Sequence, residues 1–387
     1  SLPALPQSTT AILAGQVRTE QGEPVAGAVL QARSEASGAT RTAVSGEDGQ
    51  YRIESLTPGT WTVVARLGDG RVSESRVVTL QLQQTVRLDF TVGGGLTERV
   101  TVTAESPLVD PKETAGALRI DSEQVNNLPL SGRVFTDLAL LDSSVQPSAP
   151  GVYFGERGSV FTVNGQSGRS NSFLVDGLDN NDQVSGTTLN AFYSQQVIDQ
   201  FVLLTHQYSP EFGRASGGVL NIVTRRGGNE PGWEAFLQGS AAQWNQPGDL
   251  VESLPETETS RDTVSRYQTG FNISGPIKKD RAFWFLAYEH MEFEDLIPYT
   301  GVRRENVGDV DAATGGRFMA PASDDNLFLR TDFNLGSANT LMVRLSVDDR
   351  ETEGINVGGV MTPEAGFVIS ERDLSLAGSL TTLISPT

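Results

Sequence analysis

Beyond Trp233 this chain repeats its apolar residues every two positions, a period that fits strands and not an amphipathic helix. Over 267–277, Tyr267, Phe271, Ile273 and Ile277 share one parity, while Gln268, Asn272 and Ser274 hold the other. Over 326–335, Leu327, Leu329, Phe333 and Leu335 oppose Asn326, Arg330, Asp332 and Asn334. Leu341, Val343, Leu345 and Val347 likewise oppose Arg344, Ser346 and Asp348. One face is apolar and the other polar or charged. Alternation alone predicts a sheet with two unlike faces and does not say what each face meets. Length adds to it, because 281–294 and 339–350 run past the roughly 5 or 6 residues usual in sandwich strands. Phe283, Trp284, Phe285 and Tyr288 gather as in an aromatic girdle at a lipid interface, although a sandwich core could also hold them. About six such strands are expected by Pro386, fewer than the roughly 8 of the smallest single-chain barrels. These strands alone would therefore not close a barrel.

Composition bounds the alternatives. No run approaches the roughly 18 apolar residues of a membrane-spanning helix, whereas a transmembrane strand needs only about 10 alternating ones. A formal net charge of -19 argues against a nucleic-acid groove, which needs clustered Lys and Arg. With no cysteine there is no disulfide framework, thiol nucleophile or Cys-ligated metal centre. The only two histidines, His206 and His290, belong to no H-E-x-x-H pattern, so a zinc peptidase is not supported. No G-x-S-x-G elbow occurs, and Gly165 to Arg169 lacks the lysine of a phosphate loop. Neither enzyme activity nor a cofactor is expected. The chain opens at Ser1 without Met or an apolar signal core, so any secretory leader is expected to have been removed.

Between Ala14 and Val92 short strands alternate with explicit turn chemistry at Gln21-Gly22, Glu47-Asp48-Gly49 and Thr57-Pro58-Gly59. The pattern predicts about seven strands in a small two-sheet sandwich. Its words GQV, GEPVAGAVL, DGQYRI and PGTWTV resemble the carboxypeptidase regulatory-like family, a transthyretin-like β-sandwich that serves as a non-catalytic accessory. Asp48 with Gly49 is accordingly read as a turn. Gly93-Gly94-Gly95 then breaks the pattern off as a flexible tether.

Downstream, two strand candidates, Gln200 to Thr205 and Gly218 to Thr224, flank an Ala-Ser-Gly-Gly segment whose Gly217 and Gly218 permit left-handed or closely approached backbone. Phe161 to Asp182 reads as strand, glycine-rich turn, strand and a second turn at Asp176-Gly177. Val125 to Leu141, with Val134, Leu138 and Leu141 apolar, predicts a short amphipathic helix. The words NLPLSGRVFTDL, FTVNGQ and EFGRASGGVLNIVTRRGGNE, in that order, resemble the plug domain of Oar-like TonB-dependent outer-membrane receptors. SGPIKKDRAFWFLAYE resembles early barrel strands of the same group. Asp176, Asp179 and Asp182 offer three carboxylates at three-residue spacing, oxygen ligands of the kind calcium takes, but Asp and Asn are also the commonest turn residues. The structural turn is the favoured reading and calcium the minor one.

Glu98-Arg99-Val100-Thr101-Val102-Thr103-Ala104 reads as an ordinary strand or, by its place ahead of a plug-like region, resembles a TonB box. Such a segment engages its partner by β-augmentation, in which an accessible main chain matters more than side-chain identity. The glycine tether before it and Pro107 after it suit that role.

The resemblance implies a mainly β chain: an N-terminal transthyretin-like sandwich, a mixed α/β plug and the first strands of an incomplete transmembrane β-barrel. The boundaries read as an extension at 1–13, the sandwich at 14–92, the linker and TonB-box-like segment at 93–108, the plug at 109–230 and barrel strands at 231–387. It implies an outer-membrane receptor or transporter with its sandwich and TonB-box-like segment in the periplasm. Its partners would be TonB with the inner-membrane energising complex, outer-membrane lipid and an extracellular ligand of unknown identity. It is expected to be an N-terminal fragment of such a receptor. The alternative is a secreted or surface-attached adhesion or structural protein of several β-domains, and a third is a non-transporting receptor that signals through its sandwich.

Overall fold

The computed structural model describes residues 10–70, 72–73, 75–92, 99–101, 116–128, 135–147, 161–181, 194–208, 212–213, 215–240, 265–298, 317–336, 338–355, 357, 363 and 366–382. It is mainly β. The N-terminal unit holds β1 (Ala11–Thr19), β2 (Val29–Ser34), β3 (Thr40–Val44), β4 (Gln50–Leu56), β5 (Gly59–Arg66), β6 (Ser75–Leu80), β7 (Thr85–Arg87), β8 (Phe90–Val92) and β9 (Arg99–Thr101). One sheet runs β4-β1-β7, with β8 also on β1, and the facing sheet runs β3-β2-β5-β6-β9. Alternate residues of both sheets meet in a core around Leu13, Leu30, Ile53, Trp61, Val63 and Phe90. The polar ends of its large aromatics are satisfied: Trp61 Nε1 donates to the Thr57 carbonyl at 2.8 Å and the Tyr51 hydroxyl to the Leu88 carbonyl at 2.5 Å. The turn at 47–49 depends on Gly49, left-handed at φ 73°, where a Cβ would lie 2.6 Å from the Val17 carbonyl oxygen.

The central unit contains β10 (Gly116–Asp121), α1 (Ser122–Asn127), a 3-10 turn at Phe135–Leu141, β11 (Val145–Pro147), β12 (Phe161–Val163), β13 (Ser172–Val175), β14 (Leu178–Asp179), β15 (Ile198–His206) and β16 (Val219–Thr224). Its sheet runs β10-β15-β16-β13-β14, with β15 and β16 antiparallel and β13 parallel to β16. β15 and β16 are buried nearly throughout because both faces of the sheet are covered. One face packs on Val125, Phe135, Leu138 and Phe161. The other packs on Phe212 and, from the sandwich, Leu82. Gly217 and Gly218 serve close approach rather than left-handed backbone: a Cβ at Gly217 would lie 2.4 Å from Asn171 Oδ1, and one at Gly218 2.9 Å from Val163 Cγ2.

The helix expected over 125–141 is not one element. The α-helical turn is earlier, at Ser122–Asn127, capped by Asp121 in a reciprocal capping box with Gln124. Pro129 follows within two residues, where an α-helix would lose a hydrogen bond and clash. Phe135–Leu141 is a separate 3-10 segment that buries Phe135 and Leu138 and leaves Leu141 exposed. Val134 lies outside the described residues.

The last unit is a six-stranded antiparallel sheet of chain neighbours: β17 (Gly232–Ser240), β18 (Ser265–Lys278), β19 (Ala282–Pro298), β20 (Arg317–Asn334), β21 (Asn339–Ile355) and β22 (Phe367–Thr382). Its strands from β18 on are 14 to 18 residues long, more than the roughly 9–11 that cross a bilayer. The short β18–β19 and β20–β21 connections, the first at 279–281 and the second after Asn334, lie at one end.

The two faces are inverted relative to a water-soluble protein. Charged and polar residues are buried, including Glu289, Asn326, Arg344, Ser346 and Asp348. Large apolar residues of the opposite parity are bare, with Trp233 81%, Leu237 70%, Leu374 72% and Leu376 74% exposed. The aromatic girdle expected at 283–288 is corrected in part. Phe283 and Phe285, each 2% exposed, have the parity of the buried face, and only Trp284 and Tyr288 have the outward one. Phe285 turns inward because it packs edge-on to Phe328 and joins the core of the central unit.

The junction between the central and last units is tight. A Cβ on Gly227 would lie 2.3 Å from the Trp284 carbonyl oxygen and 2.9 Å from that of Gly275, both backbone atoms that cannot swing away. Gly227→Ala is therefore expected to destabilise the junction by about 1–3 kcal/mol, the range for overpacking. The urea midpoint of detergent-solubilised protein reads this, and an unchanged midpoint would contradict the close approach.

Candidate functional site

The polar face of the six-stranded sheet is where the chain concentrates its buried charge, and the central unit is seated on it. The first contact is built on the Asp176-Gly177 turn between β13 and β14. Both residues are left-handed, at φ 52° and 73°, and Asp tolerates that region because its short side chain bonds locally. The Asp176 carboxylate accepts from the Thr224 N–H and hydroxyl, both at 2.9 Å, which ties the turn to the end of β16. From β20, Arg330 Nη1 reaches Asp176 Oδ1 at 3.1 Å, the Thr224 carbonyl at 2.7 Å and the Thr224 hydroxyl at 2.8 Å. The same guanidinium grips Asp332 through Nε at 2.9 Å and Nη2 at 2.8 Å, a bidentate fork that fixes its plane. From β21, Arg344 Nε lies 3.7 Å from Asp176 Oδ2. Asp176, Arg330 and Arg344 have side chains only 5%, 9% and 3% exposed, so water screens this pair of ion contacts little.

A second contact uses neutral donors on a barrel carboxylate. Ser194 caps the 3-10 turn Gln195–Val197, and its hydroxyl also donates to Glu289 of β19. Gln268 of β18 donates to the same carboxylate. Gln196 Oε1 accepts from Asn272 Nδ2 at 3.0 Å, and Asn272 in turn reaches Glu234 Oε2 at 3.1 Å. Arg225, at the end of the central unit, meets Glu234 at 3.1 Å. Between the two polar contacts lies an apolar one, where Phe285, Ala287 and Phe328 enter the core of the central unit. The fit is close: a Cβ on Gly270 would sit 2.6 Å from Gln196 Nε2.

Asp199 and Arg226 line a small cavity of about 90 Å³ beside the first contact, between the central unit, the sandwich and the sheet. Burial pushes the Asp199 carboxyl up, with Arg226 and Arg225 drawing it back. Burial lowers Arg226, offset by Asp332 and Asp199.

Of the residues singled out from sequence, Asp176 is committed to arginines, and Asp179 accepts from the Asn181 N–H at 3.0 Å. Asp182 lies outside the described residues. In the partner segment, Arg99–Thr101 forms β9, which extends the sandwich sheet by pairing parallel to Ser75–Val77 of β6. Glu98, Val102, Thr103 and Ala104 lie outside the described residues. Sequence reasoning passed over Arg330, Arg344, Glu289, Ser194 and Gln196. The signal available for the two arginines was their place on the charged parity of long strands; Ser194 and Gln196 carried none.

Residues 12–93 match the family model of the carboxypeptidase regulatory-like domain. The chain is 28% identical over 300 residues to the TonB-dependent transporter Oar of Myxococcus xanthus, covering 73% of this chain and 27% of that protein. In structure it is similar to the outer membrane transporter YddB from Escherichia coli, at TM-score 0.52 and 14% identity, covering 70% of this chain and 37% of YddB. It also overlaps the siderophore receptor PirA from Acinetobacter baumannii, at TM-score 0.43 and 20% identity, covering 61% of this chain and 32% of that one. The chain therefore spans about a quarter of its Myxococcus relative.

Proposed function

We propose that this chain, a homologue of TonB-dependent transporters, acts as the sandwich, plug and first barrel strands of an outer-membrane receptor that takes up an external ligand when TonB pulls on residues 98–104. In this reading 14–92 is the sandwich, 93–108 the tether and partner segment, 109–230 the plug, and 231–387 part of the barrel wall. The observation that carries it is the inverted six-stranded sheet, apolar outward and charged toward a seated central unit. Only a wall between lipid and a polar lumen favours that arrangement, since bare Leu374, Leu376 and Trp233 would be costly in water. The sheet also has two open edges, β17 and β22, among the described residues. Unpaired edge groups are not tolerated in hydrocarbon, so the wall is completed by further strands.

The short turns, the sandwich and the partner segment lie at one end, which supports a periplasmic position for all three. Plug movement then means breaking the Asp176 and Glu289 contacts, which opens the polar lumen. No residue is assigned to the ligand, whose identity stays open. The adhesion alternative predicts a protein that leaves the envelope in buffer. Alkaline extraction of envelope fractions separates the two: the receptor is expected to stay in the pellet until detergent is added, and release into carbonate without detergent would sink the proposal.

A further inference from the structure

The sandwich is fastened to the rest of the molecule in two ways that differ in kind. Its turn 34–39, between β2 and β3, reads SEASGA and carries nothing larger than Ala or Ser over positions 36–39. That small tip seats among the short turns of the barrel sheet. The Asn229 N–H donates to the Ala36 carbonyl at 2.9 Å, and Asn229, at the very end of the plug segment, is itself held to the barrel turn by paired bonds with Asp280, both at 2.8 Å, so Gly228 and Asn229 belong with the barrel side of this seat. Asn334 Nδ2 reaches the Ser37 carbonyl at 3.5 Å and the Asp280 carbonyl at 3.0 Å. Gly38, left-handed at φ 64°, presses on Asp280, and Arg33 pairs with Asp280 at 3.7 Å. The contacts of this tip are polar and its ion pair is 63% and 51% exposed, so water replaces that pair readily, while Arg41 of β3 adds one more polar bond, to the Thr340 hydroxyl at 3.2 Å.

On the plug the grip is of another sort. Leu82, on the turn after β6, is wholly buried in a cluster with Leu174, Val202, Leu204 and Val223 of the plug sheet. Its N–H donates to Gln200 Oε1 at 2.6 Å, and Arg226 Nη2 donates to the Pro58 carbonyl at 2.6 Å. β9 is paired to β6, so a pull on the partner segment loads the sandwich before it loads the plug.

We propose that the sandwich is a removable strap, bridging plug and barrel turns, that must part from the barrel turns before the plug can move and that leaves with the plug through Leu82. The proposal rests on the energised-plug reading above. It gives the sandwich a mechanical role in series between partner and plug.

This chain has no cysteine of its own, so introduced cysteines are the only ones in it and a direct test is available. A Cβ built on Gly228 lies 3.9 Å from the Ala36 Cβ, inside the roughly 3.5–4.5 Å of disulfides, and Gly228 is not left-handed. Ala36→Cys with Gly228→Cys is placed in the full-length receptor in cells, with Val197→Cys as a reporter at a plug position that is wholly buried and makes no polar side-chain contact with the barrel. A biotin–maleimide reagent is applied with the inner membrane energised, and labelling at position 197 is read by peptide mass spectrometry. Oxidation is expected to cut that labelling at least tenfold, and reductant to restore it. Equal labelling in oxidised and reduced cells overturns the strap alone. Labelling in neither state overturns the energised-plug reading instead. Failure of the two cysteines to join under oxidant overturns the seated turn. Should that pair misfold, Asn334→Ala, which removes the bonds to the Ser37 and Asp280 carbonyls, is the second test: energised labelling at position 197 is expected to rise in the unlocked receptor, and unchanged labelling overturns the strap.

Discussion

Asp176→Asn is expected to loosen the plug from the barrel by about 3–5 kcal/mol, the cost of removing one partner from a buried ion pair. The substitution keeps the shape of the side chain, and Asn accepts the left-handed backbone at φ 52° as Asp does, so the charge is what changes. Arg330 keeps its fork on Asp332, but Arg344, with a side chain 3% exposed, loses the carboxylate 3.7 Å away. A buried guanidinium that loses a carboxylate has less to offset its desolvation. At about 1.4 kcal/mol per factor of ten, the undocked fraction rises by roughly two to three and a half orders of magnitude. Limited proteolysis of the plug in detergent-solubilised receptor measures it. Asp179→Asn is the control, because Asp179 accepts from the N–H and the side chain of neighbouring Asn181 and stands three residues beyond the arginine-paired Asp176. If the two variants are cut at the same rate, the buried pair does not hold the plug.

The second large effect concerns the partner segment. Deleting residues 98–104 is expected to abolish capture of TonB from solubilised envelopes while leaving plug and barrel folded, since among the described residues the segment adds only three pairs to the edge of β6. Main-chain pairing makes side-chain identity secondary, so Val100→Ala is expected to retain capture. Val100→Pro removes a donor within the strand and is expected to lose at least tenfold, about 1.4 kcal/mol. Undiminished capture by the deletion variant sinks the assignment. Equal behaviour of Val100→Ala and Val100→Pro means that recognition is not strand pairing. The deletion also cuts the load path through β6, so its phenotype is separable from the strap, which acts at Ala36 and Gly228.

Much of this architecture was legible. The alternation at Leu327, Leu329, Arg330 and Asp332 reported strands and gave the right two parities, because side-chain direction in a strand follows from local backbone geometry alone. The turns at Gly22, Gly49 and Asp176-Gly177 were legible for the same reason: each demands a positive φ that few residues adopt. Phe283 and Phe285 were misread because an apolar run on both parities of β19 hides which side meets lipid and which meets the plug. The helix expected over 125–141 failed because the three-residue spacing of Leu138 and Leu141, which suits an α-helix, is met equally by the 3-10 segment Phe135–Leu141. Ser194 and Gln196 had no signature, being small polar residues in a loop whose role comes from what stands opposite.

The sequence by itself determined the strand period, the turn positions, the order of sandwich, glycine tether and plug-like segments, and the exclusion of thiol and Cys-metal chemistry, since each depends on neighbouring residues or on composition. Only the tertiary structure decided that the charged parity is the buried one, that Asp176 meets an arginine 154 positions away, and that the small turn at 36–39 seats on the barrel turns beside Asp280. The physical reason is that a period fixes which residues share a face, whereas the free energy of a face depends on what is packed against it. Between Asp176 and Arg330 that partner is supplied by contacts no local pattern encodes.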